Sequence, residues 1–232
     1  MASTVKKSAA ELVGTFVLVL LGCGAIVSVN SIGSLPVFFV FGLAFIAMAF
    51  AIGDVSGCHL NPAVSLGMLL CGRISIVDFI GYVIGQTVGA FGACGLIYYI
   101  EYAINSKTYA GASSIVVDQF GQTETTKMAT PAIFVVEMVI TFIFVLVFLK
   151  ATRKGSCMKR SGIGIGLAYI ALSIFAMPLT GASMNPVRSL APAVFAGGTA
   201  LSQLWIYIIA PLVGAVIAAV VARFVFEGEA EE

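Results

Sequence analysis

The chain has 232 residues, 60% of them apolar and only 10% charged, and its 12 basic and 11 acidic side chains leave a formal charge of +1. Soluble domains run at about 45–50% apolar and about 25% charged, so a water-soluble enzyme of this size would leave too much apolar surface facing solvent. The near-cancelling charge lacks the basic excess that a nucleic-acid partner requires. Five cysteines, Cys23, Cys58, Cys71, Cys94 and Cys157, show no framework spacing and read as small apolar side chains rather than structural disulfides.

Crossing a bilayer takes about 20 apolar residues of helix. Six stretches reach that length, at about 8–28, 34–53, 77–100, 131–150, 161–179 and 202–226. Lys6 and Lys7 precede the first, which is the layout of a secretory signal. Its apolar run is longer than a typical signal core and contains Glu11, so it reads as a retained span. Two further apolar pieces, 61–70 and 185–195, are too short to cross. Each begins Asn-Pro, with Asn61 and Asn185 suited to cap a helix and Pro62 and Pro186 suited to its first position. Both therefore read as half-helices that stop near mid-membrane.

Six spans place both termini on one side. Nine of the 12 basic residues fall there: Lys6, Lys7, Arg73, Lys150, Arg153, Lys154, Lys159, Arg160 and Arg223. The positive-inside rule makes that side cytoplasmic and the polar loop at about 101–129 external. The acidic tail Glu227–Glu232 reads as a solvated end, and the short polar ends point to the plasma membrane.

The halves repeat one another. Glu11-Leu-Val-Gly-Thr-Phe16 matches Glu137-Met-Val-Ile-Thr-Phe142, Asn61-Pro-Ala-Val-Ser-Leu66 matches Asn185-Pro-Val-Arg-Ser-Leu190, and Tyr82…Gly89-Ala90 matches Tyr207…Gly214-Ala215. Glutamate and asparagine stand 50 residues apart in one half and 48 in the other. Each half, 1–118 and 119–232, holds three spans and one half-helix, so the second copy enters the membrane the other way up. Inverted repeats with broken helices meeting at the midplane are a recurring plan for moving solutes. Gly81, Gly85 and Gly89 form a GxxxGxxxG face on the third span, read as helix packing.

Polar residues inside the spans narrow the chemistry. Glu11 and Glu137 are either carriers of protons or cations, or scaffold groups accepting backbone N–H bonds from the loops before the half-helices; their matched positions favour scaffolding. As caps, Asn61 and Asn185 accept from their own helices and keep amide N–H groups to donate into a pore. Two converging helix N-termini add positive potential there, so a water held by both amides points its protons away and relays none. Arg188 falls one turn beyond Asn185 and reads as a pore-lining donor that repels cations. His59, the single histidine, reads as a pore-wall or loop-bonding group. Adjacent Cys58 and His59 with no further ligands do not make a metal site. There is no Gly-x-Ser-x-Gly nucleophile, no His-Glu-x-x-His and no phosphate-cradling Gly/Lys loop, so neither an enzyme nor a cofactor or ATP is expected.

Together these features resemble the aquaporin, or major intrinsic protein, family over essentially the whole length. The first box, Ser56-Gly-Cys-His-Leu-Asn-Pro-Ala-Val64, is intact; the second reads Asn185-Pro186-Val187, with valine where the family has alanine. The resemblance implies an all-α membrane fold, six helices and two re-entrant half-helices in a right-handed bundle, assembled as a homotetramer with one pore per subunit. It implies an outer constriction at Phe41, Ser173, Ala182 and Arg188. Serine at 173, where water-selective members carry histidine, predicts a wider opening. Ser189 after Arg188, where glycerol-conducting members carry aspartate, keeps the water-channel style. The expected activity is passive conduction of water and small neutral solutes, excluding protons and ions. A glycerol facilitator of the same fold is the near alternative, and a coupled secondary transporter the remote one.

Overall fold

The computed structural model describes residues 3–27, 35–105, 128–153 and 155–226. Most of the expected external loop, the 118/119 boundary between repeats and the tail Glu227–Glu232 lie outside those residues. The described chain is helical: α1 Thr4–Val27, α2 Leu35–Ser56, α3 Pro62–Leu70, α4 Ile76–Asn105, α5 Thr130–Ala151, α6 Met158–Thr180, α7 Pro186–Ala196 and α8 Gly198–Val221, the last continued by a π-turn at Ala222–Phe226. Six of these helices are long and apolar enough to cross a membrane, and α3 and α7 are the two that are not.

Several helices run past the apolar stretches that announce them. α4 continues to Asn105, so its 30 residues make a rod about 45 Å long against a hydrocarbon core of about 30 Å. α1 starts at Thr4 because its first turn has a partner: Thr4 Oγ1 donates to Asp78 Oδ1 at 2.7 Å and Lys7 Nζ bonds Asp78 Oδ2 at 2.8 Å. The same end of the bundle carries Arg73, whose Nη1 donates to the Leu149 carbonyl at 2.6 Å, and the Lys159–Asp54 pair at 3.1 Å.

Packing follows the repeat. α1 lies along α4 as α5 lies along α8; α1 also meets α2 as α5 meets α6, and α2 meets α6 across the centre. Backbones come close where glycine permits. A methyl at Gly89 would strike the Leu12 carbonyl oxygen on α1, and one at the matching Gly214 would strike the Met138 carbonyl oxygen on α5. The outward faces are apolar as well, with Phe175 60% and Ile84 60% exposed, so the surface is built for lipid rather than water.

Candidate functional site

The two half-helices meet end to end in the middle of the bundle, and each end is built the same way. Asn61 caps α3 by accepting from Ala63 N at 2.8 Å; Asn185 caps α7 by accepting from Val187 N at 3.2 Å and Arg188 N at 3.5 Å. Pro62 and Pro186 occupy the first helical positions, where no N–H is missed. The amide donors behave differently from the expectation that both stay free. Asn61 Nδ2 donates to the Met184 carbonyl at 2.7 Å and Asn185 Nδ2 to the Leu60 carbonyl at 2.8 Å. One N–H of each amide thus ties the opposite loop, because two chain breaks at membrane depth must find partners for exposed carbonyls. The second N–H of each remains.

Those loops are strained in matching places. Cys58, Leu60, Ala182 and Met184 all have φ between 51° and 54°, in the left-handed region that costs non-glycine residues about 1–3 kcal/mol each. Leu60 and Met184 are the residues whose carbonyls accept the crossed asparagine bonds. The preceding Gly57 and Gly181, at φ 85° and 93°, adopt a similar turn without that penalty.

Both glutamates sit behind these loops, fully buried. Glu11 accepts from His59 N at 2.9 Å and Leu60 N at 2.6 Å, and also from Ser56 Oγ at 2.6 Å and Gln86 Nε2 at 2.8 Å. Glu137 accepts from Ser183 N and Met184 N, each at 3.1 Å, and from Thr180 Oγ1 at 2.5 Å. Tyr82 Oη donates to the Ser56 carbonyl at 2.6 Å and Tyr207 Oη to the Thr180 carbonyl at 2.9 Å, completing the likeness. His59 Nδ1 lies 3.1 Å from Ser65 Oγ, and its ring meets Tyr82 and Phe148 edge-on at 4.9 and 5.5 Å. Ser183 and Ser189 are the corresponding bonded pair in the second half.

Of the four residues expected at a constriction, Arg188 and Phe41 are in direct contact, the guanidinium carbon 4.9 Å from the ring centroid. Arg188 Nη2 also donates to the carbonyl of Gly181, next to Ala182, at 3.2 Å. Ser173 is on α6, buried, and its hydroxyl has no hydrogen-bond partner among the described residues. All four residues are buried, exposing 2% or less of their surface. Beside them stands Tyr169, which sequence reasoning passed over. Its ring stacks on Phe41 at 5.7 Å and 21° and lies 5.0 Å from Phe144. The signal available was its place four residues before Ser173, on the same face of one helix.

Six membrane-length helices around two half-helices, tied by their capped ends, define a multi-pass membrane protein of the broken-helix type. The chain belongs to the major intrinsic protein family, whose model matches residues 1–222. It is 41% identical over 220 residues to a glycerol uptake facilitator protein-like 6 of Lactiplantibacillus plantarum, covering 94% of this chain and 97% of that one. It is 37% identical to an aquaporin Z of Rhodopseudomonas palustris, covering 94% and 92%, and 38% identical to an aquaporin Z of Bradyrhizobium diazoefficiens, covering 96% and 94%. Its fold matches the X-ray structure of the aquaglyceroporin from Plasmodium falciparum with a TM-score of 0.83 at 24% identity, over 96% and 97% of the two chains. Membership makes the protein a passive channel and not an enzyme.

Proposed function

We propose that this channel conducts water in single file, in both directions, and excludes protons and ions at the Asn61/Asn185 crossing. The observation that carries the reading is the crossed pair of bonds from Asn61 to Met184 and from Asn185 to Leu60. Those bonds orient both amides, leaving one N–H on each to hold a passing water by its oxygen. Helix N-termini from both half-helices add positive potential at the same point. A water held this way cannot accept a proton from its neighbour, and a cation meets an opposing field.

Phe41, Ser173, Ala182 and Arg188 form the outer size and charge filter in this reading. Phe41 and Arg188 meet there, the guanidinium carbon 4.9 Å from the ring centroid. The unpartnered Ser173 hydroxyl offers a bond to a molecule in transit. His59, held by Ser65, lines the passage on the other side of the asparagines, while Glu11 and Glu137 act as scaffold. The halves 1–118 and 119–232 are inverted repeats, the termini face the cytoplasm of a plasma-membrane protein, and the working assembly is a homotetramer in the bilayer. The relative named as a glycerol uptake facilitator keeps glycerol conduction as the second reading.

Stopped-flow light scattering on proteoliposomes separates the two. An impermeant osmolyte is expected to give shrinkage much faster than in empty liposomes. A glycerol gradient is expected to give shrinkage with slow re-swelling. Rapid re-swelling would make the protein a glycerol channel.

A further inference from the structure

The constriction implied by the family pattern has lost bulk at two positions, Ser173 and Ala182, yet both side chains are buried. A large aromatic ring is packed one turn away. Tyr169 lies one turn from Ser173 on α6, on the inward face, and only 2% of its surface is exposed. The outward positions of the same helix, among them Leu167 and Ile174, are exposed. The phenol ring stacks on Phe41 at 5.7 Å and nears Phe144 at 5.0 Å, so it bridges α2, α6 and α5 immediately inside the constriction.

Phe41 is held from its other sides too. The Arg188 guanidinium carbon is 4.9 Å from its ring centroid, and the ring lies so close over Gly22 on α1 that a methyl there would collide with it. Tyr169, Arg188 and Gly22 thus all pack against the ring of Phe41. Remove the phenol and the space it filled becomes available both to the solute and to Phe41.

We propose that Tyr169 is the residue that sets the width of this passage, replacing from one turn below the bulk that Ser173 and Ala182 give up, and that it excludes three-carbon polyols while passing water. The hydroxyl is secondary; the ring provides the exclusion. This rests on the channel reading above, and the test keeps the two apart by measuring water and glycerol on the same vesicles.

Wild-type protein and the variants Tyr169→Phe, Tyr169→Leu and Tyr169→Ala are reconstituted at equal density, and water shrinkage and glycerol re-swelling are both recorded. Wild type and Tyr169→Phe are expected to pass water and re-swell slowly in glycerol. Tyr169→Ala is expected to re-swell at least about tenfold faster with water flux within about twofold of wild type. Tyr169→Leu, which keeps apolar bulk against Phe144 and folds where alanine leaves a cavity, is expected to show a smaller gain in the same direction. Water flux with glycerol exclusion unchanged in both the Leu and Ala variants would overturn the assignment and leave the channel reading standing. Rapid glycerol flux in wild type that these variants do not raise would also overturn it. Absence of water flux in wild type would overturn the channel reading and this inference with it.

Discussion

Replacing Glu11 distinguishes a scaffold carboxylate from a proton carrier. In the structure it accepts two backbone N–H groups, His59 and Leu60, together with Ser56 Oγ and Gln86 Nε2. Glutamine keeps one acceptor oxygen and turns the other into a donor. The Oε1 side serves Ser56 and His59, so the Leu60 N–H and Gln86 Nε2 on the Oε2 side are left facing an amide NH2. Gln86 keeps its bond to Ser65 Oγ, and the Leu60 N–H is orphaned. One orphaned buried N–H costs about 1–3 kcal/mol. At roughly 2–4 °C per kcal/mol for a chain of this size, Glu11→Gln should lower the melting temperature by about 2–12 °C. Glu11→Leu orphans both backbone groups, for about 2–6 kcal/mol, a large share of the roughly 5–15 kcal/mol that holds a typical fold. Thermal unfolding of the purified protein in detergent reads both shifts, and osmotic shrinkage of vesicles reads function. The scaffold account expects Glu11→Gln to retain water conduction while losing stability in that order. A Gln variant with unchanged melting temperature and abolished flux would refute it, because a group whose loss costs no stability but stops transport is a carrier.

Three further expectations follow from the same geometry. Asn185→Ala removes the cap on α7 and the bond to the Leu60 carbonyl; it should cost about 0.5–2 kcal/mol for the cap alone and slow water flux, with thermal unfolding and shrinkage rates as the readouts. Gly214→Leu drives a side chain into the α5 backbone at Met138 and Phe142 and should yield no monodisperse protein on size exclusion, whereas Gly164→Leu, with open space around it, should yield normal protein. Cys157 is exposed at the start of α6, and backbone N–H groups of Arg160 and Lys159 hold its thiol below the ordinary range. A lowered value means more thiolate at neutral pH, so its alkylation should rise at lower pH than that of a free peptide cysteine, near about 8.5. With an impermeant maleimide the reaction should occur from one face only, the cytoplasmic one in the proposed orientation, while buried Cys23, Cys58 and Cys94 stay unlabelled.

Much of the fold was legible because membrane helices announce themselves by composition: each apolar stretch of sufficient length became one of the six long helices. Their ends were less legible. Hydropathy marks where hydrocarbon stops, whereas hydrogen bonding decides where a helix stops, as Thr4 at one end of α1 and Asn105 at the end of α4 show. The half-helices were readable from Asn-Pro because cap and first-turn chemistry is local. The crossed bonds from Asn61 and Asn185 were not, since they join residues 123 and 125 apart in sequence. Nor was the placing of Gln86, which donates to Glu11 and to Ser65 at 3.0 Å but carries no repeat partner, the matching position in the second half being Pro211. Tyr169 was missed for a related reason. Its ring meets Phe41 and Phe144, and aromatic contacts across α2, α5 and α6 leave no trace in a one-dimensional pattern.

The most direct test of the account records water and proton movement on the same reconstituted vesicles: osmotic shrinkage by light scattering, and decay of an imposed pH gradient by an entrapped dye. The account predicts water equilibration many-fold faster than in empty liposomes, independent of the pH gradient, with gradient decay no faster than the lipid background. Proton leakage that rises with the water flux, or water flux that requires the gradient, would contradict the Asn61/Asn185 barrier.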